Sequence, residues 1–324
     1  MTTRRNAMLG MFASTLGFSS NHVFAQDNSP ITIFVGAASS MDFGARAVAE
    51  QMREVLGRPV VVVSKLGAGQ RIALGEVKRA QPDGRTLVFA TSGPFAVYPH
   101  VYNKLDYDPV NDFTPIAGIS TFDVAISTGP ATGATNLAQL IDWMKSKKAG
   151  DALYGSAPGN GSLSHFVGIS IGLAANLQLT HVPYKDSGVG LIDLAAGRLP
   201  VMVTGLSPQI ELHKAGKIKL LAVSGSTRSP LVPDVPTLRE AGIAVSSTTS
   251  TAIFGPAKMP AELVKKLYEA INPMTLSPIV RDKFAGQAMT PWSANPSQLA
   301  QSLAEERKRY ETLVKSSGYV KEDA

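Results

Sequence analysis

Cysteine is absent from the 324 residues. Disulfides, thiolate metal sites and cysteine nucleophiles are thereby excluded. Histidine is scarce, with five in all. His22, His100, His165, His181 and His213 never fall at the His-x-x-x-His or Glu-x-x-His spacing of a metal site. Only His165 stands at a promising loop–helix junction. Charged residues make up 17% of the chain, and the densest patch, Glu305-Glu306-Arg307-Lys308-Arg309, mixes signs. Nucleic-acid binding needs a basic stripe, and none is present. After residue 25 no stretch approaches about 18 uncharged apolar residues, which excludes a multi-span membrane protein.

What is present fits a globular protein. The apolar fraction of 44% supplies ample core. The length suggests two domains at about 150 residues each. Net charge is +6 over the whole chain. Residues 1–25 resemble an export signal: Arg4 and Arg5 form a positive start, residues 7–18 are apolar, and Val23-Phe24-Ala25 precedes a cut. The paired arginines also suit twin-arginine export. Removing Arg4 and Arg5 from 31 basic residues leaves 29 against 25 acidic, a balance of +4. A mildly cationic exported protein suits small anionic partners. Outside the cytoplasm nucleotide cofactors are scarce, so no cofactor is expected.

Strand and helix patterns then alternate. Apolar β-branched runs predict strands at 31–35, 59–64, 86–91, 153–156, 179–184, 199–203, 218–224 and 251–256. Helical spacing predicts helices at 42–56, from 70 to 80, and at 136–148, 163–176, 187–197, 260–271, 278–286 and 295–316. Pro200 restricts its strand to an edge or a start. Residues 105–126 break the rhythm with Tyr107-Asp108-Pro109 and Phe113-Thr114-Pro115 turns. Alternation of this kind implies βαβ units and mostly parallel sheets. Two α/β halves follow: 26–125 with 227–324 as one lobe, and 126–226 as the other. Ligands favour clefts at such junctions, beyond the carboxyl ends of parallel strands.

Several motifs suggest chemistry. Gly67-Ala68-Gly69-Gln70-Arg71-Ile72-Ala73 is close to the dinucleotide fingerprint, but the acidic residue expected about 20 positions on is missing. A tight turn near an anion, or close packing, is the better reading, with Arg71 facing solvent or the cleft. Gly168-Ile169-Ser170-Ile171-Gly172 matches the hydrolase elbow, which requires a strand-to-helix turn. Here Ser170 falls inside a predicted helix, where small residues permit close packing. Two loops rich in small hydroxyl residues each feed a helix start: residues 36–42 and residues 156–164. Unpaired N–H groups and the helix dipole attract anions at such ends. Plain helix capping explains the same residues equally well.

At these positions the chain resembles the tripartite tricarboxylate transporter receptors, also called Bug proteins. The matching pieces include Pro82-Asp83-Gly84-x-Thr86-Leu87, Tyr107-Asp108-Pro109-Val110-x-Asp112-Phe113, Gly159-Asn160-Gly161-Ser162-x-Ser164-His165, His181-Val182-Pro183-Tyr184-Lys185 and Pro233-Asp234-Val235-Pro236-Thr237. They run in order through the chain beyond residue 25. The resemblance implies an α/β, two-lobed, type II periplasmic-binding-protein fold. It also implies capture of a small carboxylate between the loop before the first helix and the Gly-Asn-Gly-Ser-x-Ser-His loop. Departures fall on the loops. Gly36-Ala37-Ala38-Ser39 replaces the family's Pro-Pro-Gly-Gly, and Asp186 and Leu199-Pro200 also differ.

The expected function is a non-enzymatic periplasmic receptor, monomeric, without metal or cofactor. It delivers a carboxylate to inner-membrane transporter subunits or reports it to a sensor-kinase ectodomain. An exported serine hydrolase using Ser170 is the rival. The expected ligand contacts are Ala38, Ser39, Ser40, Asp42, Phe43, Ser92 and Phe95 in the first lobe. In the second they are Asn160, Gly161, Ser162, Ser164, His165, Tyr184 and Thr204. Ser39, Ser40, Ser162 and Ser164 would donate through hydroxyls, and Ala38 and Gly161 through backbone N–H. Asp42 would cap its helix or order water. Phe43, Phe95 and Tyr98 suggest an aromatic carboxylate such as a phthalate isomer.

Overall fold

A computed structural model describes residues 29–37, 40–148 and 150–323. The expected signal at 1–25 and two expected contacts, Ala38 and Ser39, lie outside the described residues. The first half builds on β1 (Ile31–Val35), β2 (Val60–Ser64) and β3 (Thr86–Thr91), with α1 (Ser40–Leu56) and α2 (Arg71–Lys78) between them. Both β2 and β3 pair in parallel with β1. Two four-residue helices follow, α3 (Gly93–Ala96) and α4 (Tyr98–Val101). The second half contains α5 (Leu137–Lys145), β5 (Leu153–Ser156), α6 (Leu163–Ala175), β6 (Thr180–Pro183), α7 (Ser187–Ala195), β7 (Val201–Gly205), α8 (Ile210–Lys214) and β8 (Lys219–Val223). The chain then returns through β9 (Thr248–Pro256), α9 (Ala261–Leu276), α10 (Pro278–Ala285), β10 (Met289–Ala294) and α11 (Pro296–Ser317).

One element went unread in the sequence. Residues 105–126 look like turns, yet β4 (Phe113–Thr128) is a strand of 16 residues that belongs to both sheets. Pro115 caused the misreading, because proline usually marks a strand's edge. The register shifts beside Pro115, between Pro115 and Ala117. Residues Phe113 to Asp123 pair antiparallel with β9, and Val124 to Thr128 pair antiparallel with β7. β10 is a second unpredicted strand, antiparallel to β4. Parallel pairing therefore holds within β2-β1-β3 and within β6-β5-β7, while β4 and β9 join them by antiparallel pairing. Pro200 precedes β7, as expected, although β7 lies between β4 and β5.

The directions of these strands decide where the helix ends point. β3 is antiparallel to β9, and β9 to β4, so β1, β2 and β3 run the same way as β4. β7 runs against β4, and β5 and β6 run with β7. The carboxyl ends of the two parallel groups therefore point at each other along β4. Through β9, Thr91 at the end of β3 is level with Ser120. Gly205 at the end of β7 is level with Val124. Four residues of strand separate these levels, or roughly 13 Å at the usual rise.

Apolar faces hold the layers. Met41, Ala45, Val48 and Met52 of α1 pack on Ile31, Ile33 and Leu87 together with α9. Phe95, Leu299 and Leu303 cover the other face of the first sheet. The second sheet is covered by α5 and α6 on one side and α7 on the other. Val232, Val235, Leu238 and Ile243 pack with the second sheet, against residues such as Val203 and Val223. The segment around 230–245, expected with the first lobe, thus lies against the second. Its proline-rich start signalled a surface loop, and nothing in its local pattern told which core its four apolar side chains would join. α11 begins with an Asn295–Gln298 capping box and a proline in its first turn. It reaches from the first core to Phe166 of α6, where Tyr310 and Val314 pack.

Gly129, just after β4, has no room for a side chain: a β-carbon there would overlap the Leu194 carbonyl oxygen. Gly75 sits inside α2 with only the flexible end of Arg79 nearby. Chemical denaturation should show Gly129→Ala losing about 1–3 kcal/mol by overpacking. Gly75→Ala should instead gain up to about 1 kcal/mol through helix propensity.

Candidate functional site

The facing strand ends bring two sets of loops together. From the first sheet come residues 36–37, 40–42, 64–70 and 91–93; from the second come 156–162, 183–187 and 205–207. Helices that start at this junction include α1 at Ser40, α6 at Leu163 and α7 at Ser187. The first turn of an α-helix leaves N–H groups without intrahelical acceptors. In α6, Ser162 caps by accepting from the His165 N–H at 3.1 Å. The N–H groups of Leu163 and Ser164 have no acceptor among the described residues. Two donors and a helix dipole are thereby left for an anion, with the Ser162 hydroxyl proton as a third.

The second-sheet loop is fixed from beneath by one carbonyl. Ala157 O accepts from the Ser164 hydroxyl at 3.1 Å and from the Thr204 hydroxyl at 3.0 Å. Thr204 has spent its proton, so Ser187 donates to it, at 2.8 Å. Ser164 and Thr204 are thus positioning residues. Tyr184 donates to Asp193 at 2.8 Å, and burial with that bond pushes its phenol up to about 12. Asn160 is exposed, and its side chain has no partner among the described residues. Gly161 is buried at φ +66°, where a β-carbon would meet Val101 of α4.

Below that loop the structure shows a histidine pair, of which only His165 was expected at the site. His165 and His181 stack with centroids 3.7 Å apart and 13° between planes. Gly161 N–H donates to His165 Nδ1 at 3.2 Å, so that ring is neutral with its proton on Nε2. His181 Nε2 meets the Ser156 hydroxyl at 2.8 Å. Burial and the neighbouring imidazole lower His165 to about 3, and burial lowers His181 to about 4. The signal for His181 lay in the His181-Val182-Pro183-Tyr184-Lys185 motif, which marks family but not geometry.

The first-sheet side is held differently. Asp42 pairs with Arg46 at 2.6 Å and accepts weakly from Ser64 at 3.4 Å. It supports the first turn of α1, near Ser40, as expected of a helix-start acid. Ala68, Gly69 and Gln70 all have positive φ, at 45°, 59° and 76°. The two that are not glycine are strained in this region. Gln70 is held there by a pair of hydrogen bonds to Thr91: Nε2 donates to Thr91 Oγ1 at 2.6 Å and Oε1 accepts from Thr91 N–H at 3.1 Å. Gly36 must be glycine, since a β-carbon would stand 2.6 Å from the Gln70 Cα. Arg71 bonds back to Ala68 O at 2.9 Å and lies over the Tyr102 ring at 4.8 Å.

Three expected contacts turn away from the junction. Phe95 is fully buried, stacked on Phe254 at 4.0 Å. Phe43 packs edge-on against Phe284 of α10 at 5.8 Å, beside the first core. Ser92 is buried and donates to Glu306 at 3.0 Å. Burial pushes the Glu306 carboxyl up to about 7. Aromatic and hydroxyl side chains next to a strand end are ambiguous in sequence, and here the core claimed all three. Ser170 lies inside α6 and donates to Phe166 O at 2.7 Å. No strand-to-helix turn exposes it, so the elbow chemistry has no geometry to work with. Among the described residues no group of histidine and acidic side chains could hold a metal. No described helix is long and apolar enough to cross a membrane.

The arrangement is that of the periplasmic binding proteins, in which two α/β halves face each other across a ligand site. The family described as tripartite tricarboxylate transporter family receptor matches residues 44–319, and this chain belongs to it. It is a family of receptors, not of enzymes. A UPF0065 protein of Bordetella bronchiseptica is 30% identical over 287 residues, 89% of this chain and 84% of that protein. The structure of R. palustris Rpa4515 with adipate matches with a TM-score of 0.81 at 27% identity, over 90% of this chain and 98% of that one. MatC from Rhodopseudomonas palustris with bound malate matches at 0.77 and 29% identity, over 88% of this chain and 98% of that one.

The histidine pair makes acid stability testable. Both folded pKa values lie below the ordinary 6.5. Between those values the unfolded chain binds more protons, so these groups make stability fall as pH drops from 6.5 towards 4. Thermal unfolding at stepped pH should show this acid limb flattened in the His165→Asn/His181→Asn double variant.

Proposed function

We propose that this chain is a periplasmic receptor that closes two lobes around a small aliphatic dicarboxylate and passes it to a tripartite tricarboxylate-type transporter. The reading is carried by the helix start at Leu163, whose two N–H groups without acceptors among the described residues and whose capping serine follow β5, a strand that runs towards the first sheet. Donors of this kind bind carboxylate without a formal cation. Ser39, Ser40 and Ala38 would supply the opposite grip at the start of α1. Adipate and malate in the two related structures support this ligand class. The aromatic side chains that favoured a phthalate are spent in the cores, so an aliphatic chain fits better. The lobes would part where β4 passes from β9 to β7, between Asp123 and Val124. The second crossing would come at Ser247, after the 230–245 segment that packs on the second sheet; Ser247 O accepts from Ser224, whose hydroxyl oxygen accepts from Val124 N–H.

Thermal-shift titration with malate, succinate, adipate and phthalate tests the reading. A bound ligand at about 100 Kd should add roughly 2.7 kcal/mol of stability. Calorimetry should then show Ser162→Ala and Ser39→Ala each weakening binding by about 0.5–1.5 kcal/mol. No shift with any aliphatic dicarboxylate, or undiminished affinity in both variants, would refute it.

A further inference from the structure

A second space lies away from the facing strand ends. A cavity of about 460 Å³ opens between α6, residues 244–247 and α11. None of the loops that meet at the junction of the two sheets lines it, though the side chain of Leu163, at the start of α6, does. Its volume falls within the range of small-molecule sites, about 300–1,000 Å³. Phe166 and Val167 of α6, Val245 and Leu313 of α11 give it apolar walls. Arg309 stands at its edge, exposed. Among the described residues no carboxylate oxygen lies within 4.0 Å of that guanidinium, which leans over the Tyr310 ring at 5.6 Å. The guanidinium also bonds the Tyr310 side chain and acts on the buried Glu306 carboxyl, and serines line part of the wall. A chamber with an apolar side and one exposed cation at its edge has a definite chemical complement.

We propose that this cavity is a second ligand site, taking an amphiphilic monocarboxylate with its tail against α6 and its carboxylate on Arg309. The selectivity is opposite to that of the strand-end site. A dicarboxylate would have to bury its second charge against Phe166 and Val167, which is costly without a partner. The site also touches both halves. α6 begins at the strand-end junction with Ser162, and its flank forms this wall; α11 comes from the first half. An occupant therefore bears on the spacing of the halves. Any effect on ligand affinity at the strand ends must be reciprocal.

Isothermal titration of the full mature protein with octanoate and with 1-octanol, with and without excess adipate, tests the proposal. Octanoate should bind one to one and more tightly than octanol. Excess adipate should leave a saturable octanoate isotherm rather than compete it away. Arg309→Gln should weaken octanoate about tenfold, the usual scale for a lost charged hydrogen bond, and leave octanol unchanged. Thr312→Trp, at an exposed position that lines the cavity, should fill it and abolish both. No octanoate binding, simple competition with adipate, or octanoate affinity equal to wild type in both variants would overturn it.

Discussion

The antiparallel passage of β4 through two sheets governs the rest of the molecule. Because β4 pairs with β9 on one stretch and with β7 on the next, each parallel group runs towards the other. Every helix that follows a parallel strand starts at that strand's carboxyl end. Opposed strands therefore mean opposed helix starts, and the first turn of a helix leaves N–H groups without intrahelical acceptors. Neither a charged side chain nor a metal is needed to make the space between such starts attractive to an anion. Sheet direction alone creates the electrostatics.

The small polar residues around that space divide their labour. Ser162 caps and keeps its proton, whereas Ser164 and Thr204 spend theirs on the Ala157 carbonyl. On the other side Gln70 spends its amide on Thr91, holding a strained left-handed stretch in place. Hydroxyls and amides of similar appearance thus serve as scaffold or as donors according to where their one proton goes. The neutral imidazole of His165 belongs to the scaffold, since it accepts from Gly161 at the base of the loop.

Much of the fold was legible because periodicity and caps agree. The strand at 86–91 and the helix starting at Leu163 fall where the pattern puts them. β4 was hidden by Pro115 and by its double membership, since a strand that changes sheets has no single buried face. α9 runs on to Leu276 despite Pro273, where the pattern stopped it at 271, because Ile271 and Met274 are both claimed by the first core. At the site, the glycine- and serine-rich loop was readable as a helix start. Phe43, Phe95 and Ser92 were not, because which way a side chain turns at a strand end depends on partners far along the chain: Phe284, Phe254 and Glu306.

α11 has a consequence for how the protein comes into being. It follows both halves in the sequence, yet it packs in the first core and against Phe166 of α6. Beyond it Glu322 pairs back to Val101 and Asn103, beside Tyr102. The first core and the cluster around Phe166 therefore stay open until α11 has been made. Assembly of these contacts must wait for that helix, so the join between the halves is sealed by a segment that arrives after both have been made.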